Sequence, residues 1–129
     1  MTYHFQRASE DDLIIVKVMI DGKYGFRMVL DTGASHTTID NDALHLRDYN
    51  IEPVIGDQYI ETANGITQVD LYKIGSISFM GQTKQNFPIQ VYDFMAHGIL
   101  SNYEGILGLD FFKGMKFCID MENNTITMG

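Results

Sequence analysis

The chain has 129 residues, 45% hydrophobic and 20% charged, with 9 Lys+Arg against 17 Asp+Glu and a net charge of −8. These are the proportions of one soluble globular domain over 1–129, large enough to bury a core without staples. The acidic balance and the lack of a basic cluster exclude a nucleic-acid partner, since phosphate binding rests on cationic side chains.

Residues 1–12 show little periodicity and end in the acidic "SEDD". "LIIVKVMI" (13–20) is β-rich, with Ile14, Val16, Val18 and Ile20 on one face. Asp21-Gly22 is a hairpin signal, and "FRMVL" (26–30) returns as the partner strand and delivers Asp31. Asp40 or Asn41 is expected to cap a short helix over 41–47.

"GDQYIETANGITQVDLY" (56–72) reads as two β arms around Asn64-Gly65, and its mixed polarity places this hairpin away from the core. "SISFMG" and "QNFPIQVY" alternate, putting Ile77 with Phe79, and Phe87 with Ile89 and Val91, on single faces. Pro88 points to an edge strand or a strand start. In "GILGLDFFKG", Asp110 caps or begins a short helix that ends near Gly114. The final hairpin puts Phe117, Ile119 and Met121 on one face and turns at Asn123-Asn124. Strands dominate without a βαβ rhythm, so the fold class is all-β and barrel-like, with one or two short helices.

Cys118 is the only cysteine; it excludes an internal disulfide, leaves the compartment unassigned, and is expected to pack in or near the core. His4, His36, His45 and His97 show no metal-ligand spacing, so neither metal nor cofactor is expected. No segment approaches the about 20 apolar residues of a membrane span. The first residues lack a signal-peptide core, which favours the cytoplasm. The glycines form no Walker or dinucleotide fingerprint. "LDTGASHTT" is similar to the phosphate loop of actin-like ATPases, but that fold needs two α/β lobes that this length does not supply.

Asp31 is the residue with two sharp readings. Alone, Asp-Thr-Gly is an Asx-turn closing a strand. Here an apolar strand precedes Asp31-Thr32-Gly33-Ala34-Ser35, a Gly-tipped hairpin follows, and Ile106-Leu107-Gly108 then leads into a short helix. In that order the three elements resemble the retropepsin-like aspartic proteases, the retroviral proteases and their cellular and bacterial relatives, from about residue 13 to residue 128.

The resemblance implies a closed acid-protease β-barrel with a flap and a homodimer in which Asp31 of each copy completes one catalytic dyad. Thr32 would hydrogen-bond across the axis, Gly33 would bring backbone N–H groups to the carboxylates, and Ala34 and Ser35 would complete the active-site loop. Ala34 stands where many relatives have a hydroxyl that stabilises the ionised dyad, which implies a less acidic optimum. Tyr59, Ala63, Asn64, Gly65 and Ile66 are candidate flap or substrate contacts, and Ile106, Leu107 and Gly108 are structural support. Asp110 is read as a helix cap. The implied partner is a peptide or protein substrate; the alternative is an inactive protease-like module that binds peptides or dimerises.

Overall fold

The computed structural model describes residues 1–7, 13–49, 52–53, 58–62, 65–69, 71–95 and 103–128, with 52–53, 58–62 and 65–69 described as strands. β1 (Thr2–His4), β2 (Ile15–Ile20), β3 (Tyr24–Leu30) and β4 (Thr38–Asp40) precede helix α1 (Asn41–Leu46). β5 (Glu52–Pro53), β6 (Gln58–Thr62), β7 (Gly65–Val69), β8 (Leu71–Phe79), β9 (Gln82–Tyr92) and β10 (Gly105–Leu107) follow. Helix α2 (Leu109–Phe112), β11 (Phe117–Asp120) and β12 (Thr125–Met128) complete the order.

The main sheet runs β2-β3-β10-β4-β9-β8, and β2 pairs again with β8, which closes a six-stranded barrel. The all-β barrel expected from sequence is therefore the fold. Its interior is apolar because alternate positions point inward: Val16, Val18 and Ile20 on β2, Phe26 and Met28 on β3, and Ile39 on β4 are all buried. Asp21 and Gly22 both take positive φ, 56° and 63°, the backbone a tight two-residue hairpin needs.

β8 and β9 form one long ribbon with a constant register, from Leu71↔Gln90 to Phe79↔Gln82. Its buried positions change parity, from Ile74 to Ile77 and Phe79, on either side of Gly75. At Gly75 an added Cβ would lie 2.6 Å from Asp21 Oδ1. That carboxylate takes the Ser76 N–H at 2.9 Å and, through Oδ2, the Tyr49 hydroxyl at 2.6 Å. The sequence pattern had broken this strand in two because the inward face changes there. Pro88 is neither at a strand start nor on a free edge along the whole strand. It sits inside β9, opposite Lys73, and β4 joins the other side only from Gln90 onward. Its missing N–H therefore removes no bond to β4.

A second sheet, β1-β12-β11, packs beside the barrel. Residues 1–12 gave no strand signal, yet Thr2–His4 pairs in register with Thr125–Thr127. The exposed faces of so short a strand leave only Tyr3 to carry the pattern. Helix α2 lies between barrel and sheet. Phe112 stacks on Phe117 at 4.2 Å and meets Phe79 edge-on at 6.4 Å, while Tyr3 meets Phe79 at 5.0 Å.

Three further expectations change. Cys118 is exposed, because β11 buries the opposite parity, Phe117 and Ile119, against the core. Met121 does not continue that face; it is 49% exposed in the turn. Asp40 occupies the N-cap position of α1 but makes no side-chain cap bond; its Oδ1 accepts the Phe94 N–H at 3.1 Å instead.

Candidate active site

Strand β10 is inserted between β3 and β4, parallel to β3 (Leu107↔Leu30) and antiparallel to β4 (Ile106↔Thr38). The loop from Asp31 to Thr37 must therefore leave β3, cross the end of β10 and re-enter as β4. One ladder bond continues into it, the Asp31 N–H donating to Leu107 O at 3.1 Å, and a local turn closes with the Ala34 N–H donating to Asp31 O at 3.1 Å.

Asp31 is partly exposed, and its Oδ1 accepts the Gly33 N–H at 2.9 Å. Its carboxylate is thus fixed in direction by a local turn on a residue that stays partly exposed. Thr32, Gly33, Ser35 and His36 are exposed around it, and Ala34 is half-buried. Ser35 Oγ lies 3.0 Å from His36 Nδ1, an exposed pair.

Beneath the loop the packing leaves no slack. At Gly108 an added Cβ would sit 2.8 Å from His36 C and 2.9 Å from Ala34 O. Only glycine lets the two backbone segments approach so closely. The Leu109 N–H donates to Ala34 O at 2.8 Å. Leu107 is fully buried in the core, whereas Ile106 is half-buried on the outer face.

Sequence reasoning missed Thr37. It is fully buried, its hydroxyl donates to Asp110 Oδ1 at 2.6 Å, and its N–H donates to Asp110 Oδ2 at 2.9 Å. The same hydroxyl accepts the Gly108 N–H at 3.1 Å, and Thr37 O accepts the Gln90 N–H at 3.0 Å. Asp110 is accordingly not the N-cap of α2, a position held by Gly108. It is a first-turn carboxylate turned back to hold the far end of the Asp31 loop. The signal was a threonine immediately before β4 paired with an acid 73 residues on in α2, which carries no local periodicity.

The hairpin expected around Asn64-Gly65 exists as β6 and β7, a two-stranded sheet of its own, with Tyr59↔Gln68, Glu61↔Ile66 and Thr62↔Gly65 paired. Ala63 and Asn64 lie outside the described residues. Tyr59, Gly65 and Ile66 are thus placed in the hairpin, and Asp31 to Ser35 with Ile106 to Gly108 at the β3–β10–β4 junction.

Residues 16–111 match the family described as Aspartyl protease. No curated protein matches the chain. Among solved structures, it is similar to a retropepsin-like aspartic protease from Rickettsia conorii, with a TM-score of 0.65 and 15% identity over 99% of this chain and 88% of that one. It is also similar to the EIAV protease complexed with the inhibitor HBY-793, with a TM-score of 0.56 and 15% identity over 84% of this chain and 92% of that one. The barrel, the loop wrapped on β10 and a match across most of the sequence agree: the chain belongs to the aspartyl protease family and has the retropepsin-like fold.

Proposed function

We propose that this protein is an aspartic endopeptidase that works as a homodimer, with Asp31 of each copy meeting on a two-fold axis. The observation that carries this reading is Asp31 itself: a carboxylate oriented by the Gly33 N–H and left partly open on a loop buttressed by buried contacts. A merely structural Asx-turn has no need of that buttress.

One chain supplies one such carboxylate, and hydrolysis by this route needs two. The ionised member takes a proton from water as the water oxygen attacks the peptide carbonyl, and the protonated member donates to the carbonyl oxygen. Collapse of the resulting gem-diol breaks the C–N bond as the proton taken from water passes to the departing amine. Two carboxyl groups so close share one proton, and the titration belongs to the pair. The exposed Thr32 and Gly33 are the surface a second copy would cover in an isologous contact. Ala34 and Ser35 complete the loop, and Ile106, Leu107 and Gly108 hold it from behind. The β6–β7 hairpin, with Tyr59, Ala63, Asn64, Gly65 and Ile66, is the flap that closes over an extended peptide and excludes water.

The test is a peptide-library cleavage assay on wild type and Asp31→Asn, with mass in solution measured by light scattering. Asp31→Asn is expected to lose roughly 10²–10⁴-fold in turnover. Equal cleavage by both proteins ends the catalytic claim. A stable monomer that binds peptides without cutting them favours the inactive module.

A further inference from the structure

Five strands bring one residue each into a single row. Ile106 pairs with Val29 and with Thr38, Thr38 with Gln90, and Gln90 with Leu71. Their strand neighbours Leu30, Leu107, Ile39 and Ile89 all belong to the core. The row therefore lies on the opposite face of the barrel wall. It starts two residues before Asp31 and ends two residues after Val69, where the β6–β7 hairpin is rooted. It crosses the barrel wall from the strand that delivers Asp31 to the strand that follows that hairpin.

This row is apolar at Val29 and Ile106 and polar at its centre, Thr38 and Gln90. Gln90 is only 8% exposed, and Thr38 Oγ1 donates to its Oε1 at 3.2 Å. The other end of the carboxamide, Nε2, is buried with no hydrogen-bond partner among the described residues. An unmet buried donor is costly, and a protein retains one where a ligand meets it. Rotating the amide by 180° would present a carbonyl instead, so a group carrying both a donor and an acceptor satisfies either orientation. Charge narrows the choice further. Asp40 follows Thr38 by two residues on β4, and its carboxylate lies within 4.8 Å of those of Asp42 and Asp93, which disfavours an acidic side chain.

We propose that Gln90 and Thr38 form a specificity subsite for a carboxamide side chain, so that the preferred substrates carry Asn or Gln within about four residues of the scissile bond. The assignment rests on the protease reading above. Adjacent strands are about 4.8 Å apart and an extended peptide advances about 3.3 Å per residue, which places the subsite within about four residues of the bond cut. Recognition is by pairing: the substrate amide supplies the acceptor that Gln90 Nε2 lacks, and an aliphatic isostere leaves that donor unpaired. Sites built on such bonds reject the apolar analogue more strongly than apolar pockets reject a missing methylene.

The test profiles cleavage of a library randomised over four positions on each side of the bond, for wild type, Gln90→Met and Thr38→Val. Thermal unfolding checks that each variant is folded. Wild type is expected to favour Asn over Leu, or Gln over Met, by about tenfold in kcat/KM at one position. Both variants are expected to bring that ratio close to one. Aliphatic preference throughout the window, or an Asn/Gln preference unchanged in both variants, overturns the assignment. If wild type cuts nothing, the protease reading fails by itself and the subsite is decided by binding. ¹⁵N-labelled wild type is titrated with an Asn-containing peptide and its Leu counterpart. A shift of the Gln90 side-chain amide with the first alone supports the subsite, and equal responses overturn it.

Discussion

Thr37 and Asp110, 73 residues apart in sequence, are joined by two hydrogen bonds, one from the threonine N–H and one from its hydroxyl. The pair ties the end of the Asp31 loop to the first turn of α2. Thr37→Val keeps the shape and removes the hydroxyl, leaving the buried Gly108 N–H without its acceptor. The expected loss of stability is about 1.5–3 kcal/mol, read by urea unfolding. A double-mutant cycle with Asp110→Asn is expected to show strong coupling. Additive effects would mean the pair does not act as a unit.

Gly108→Ala tests how tightly the loop is seated. The new methyl would meet backbone atoms of Ala34 and His36 at 2.8–2.9 Å, and neither can rotate away as a side chain could. The loop must lift, at an expected cost of about 1–3 kcal/mol, and peptide cleavage is expected to fall together with stability. A variant with wild-type unfolding and turnover would show that the loop has room.

Tyr49 sets a response at high pH. Burial first, and then the bond to Asp21 Oδ2, push its phenol up to about 12 from an ordinary value of 10.0. The folded state therefore keeps a proton that the unfolded state has released. Its contribution to stability is fully present below pH 10 and is lost as pH rises from there through about 12. Tyr49→Phe is expected to flatten the decline in unfolding midpoint over that window, measured by denaturant titration at stepped pH.

Cys118 is exposed on β11. It is expected to react with a maleimide in the native protein, and Cys118→Ser is expected to change stability by less than about 0.5 kcal/mol. Labelling only after denaturation would place the thiol inside.

What could be read from the chain was whatever repeats locally. The β2–β3 hairpin, the helix after Asp40, the closing hairpin and the Asp31 motif all announce themselves through alternation, turn dipeptides or a fixed string. The misses share a different cause. β1 is three residues long and acquires its partner from the other end of the chain. Strand β8 changes its inward face at Gly75, so its period is interrupted where the strand is not. Asp110 looked like a cap because its partner, Thr37, is distant in sequence. Gln90 looked like any outward polar residue in a strand. Only the register across β3, β10, β4, β9 and β8 places it in the outward row that begins at Val29, two residues before Asp31.

The pairing of β1 with β12 also sets an order of events. A strand made of residues 2–4 has to wait for residues 125–127 before it can bond to anything in its sheet. During synthesis the barrel strands β2 to β9 emerge long before that partner exists, and closing so long a loop is slow. The docking of β1, with the Tyr3–Phe79 contact that fastens it to the barrel, is thus expected to lock last. Until then the nascent chain holds its apolar α2 without its outer cover. Refolding followed by hydrogen exchange should find protection arriving last at β1.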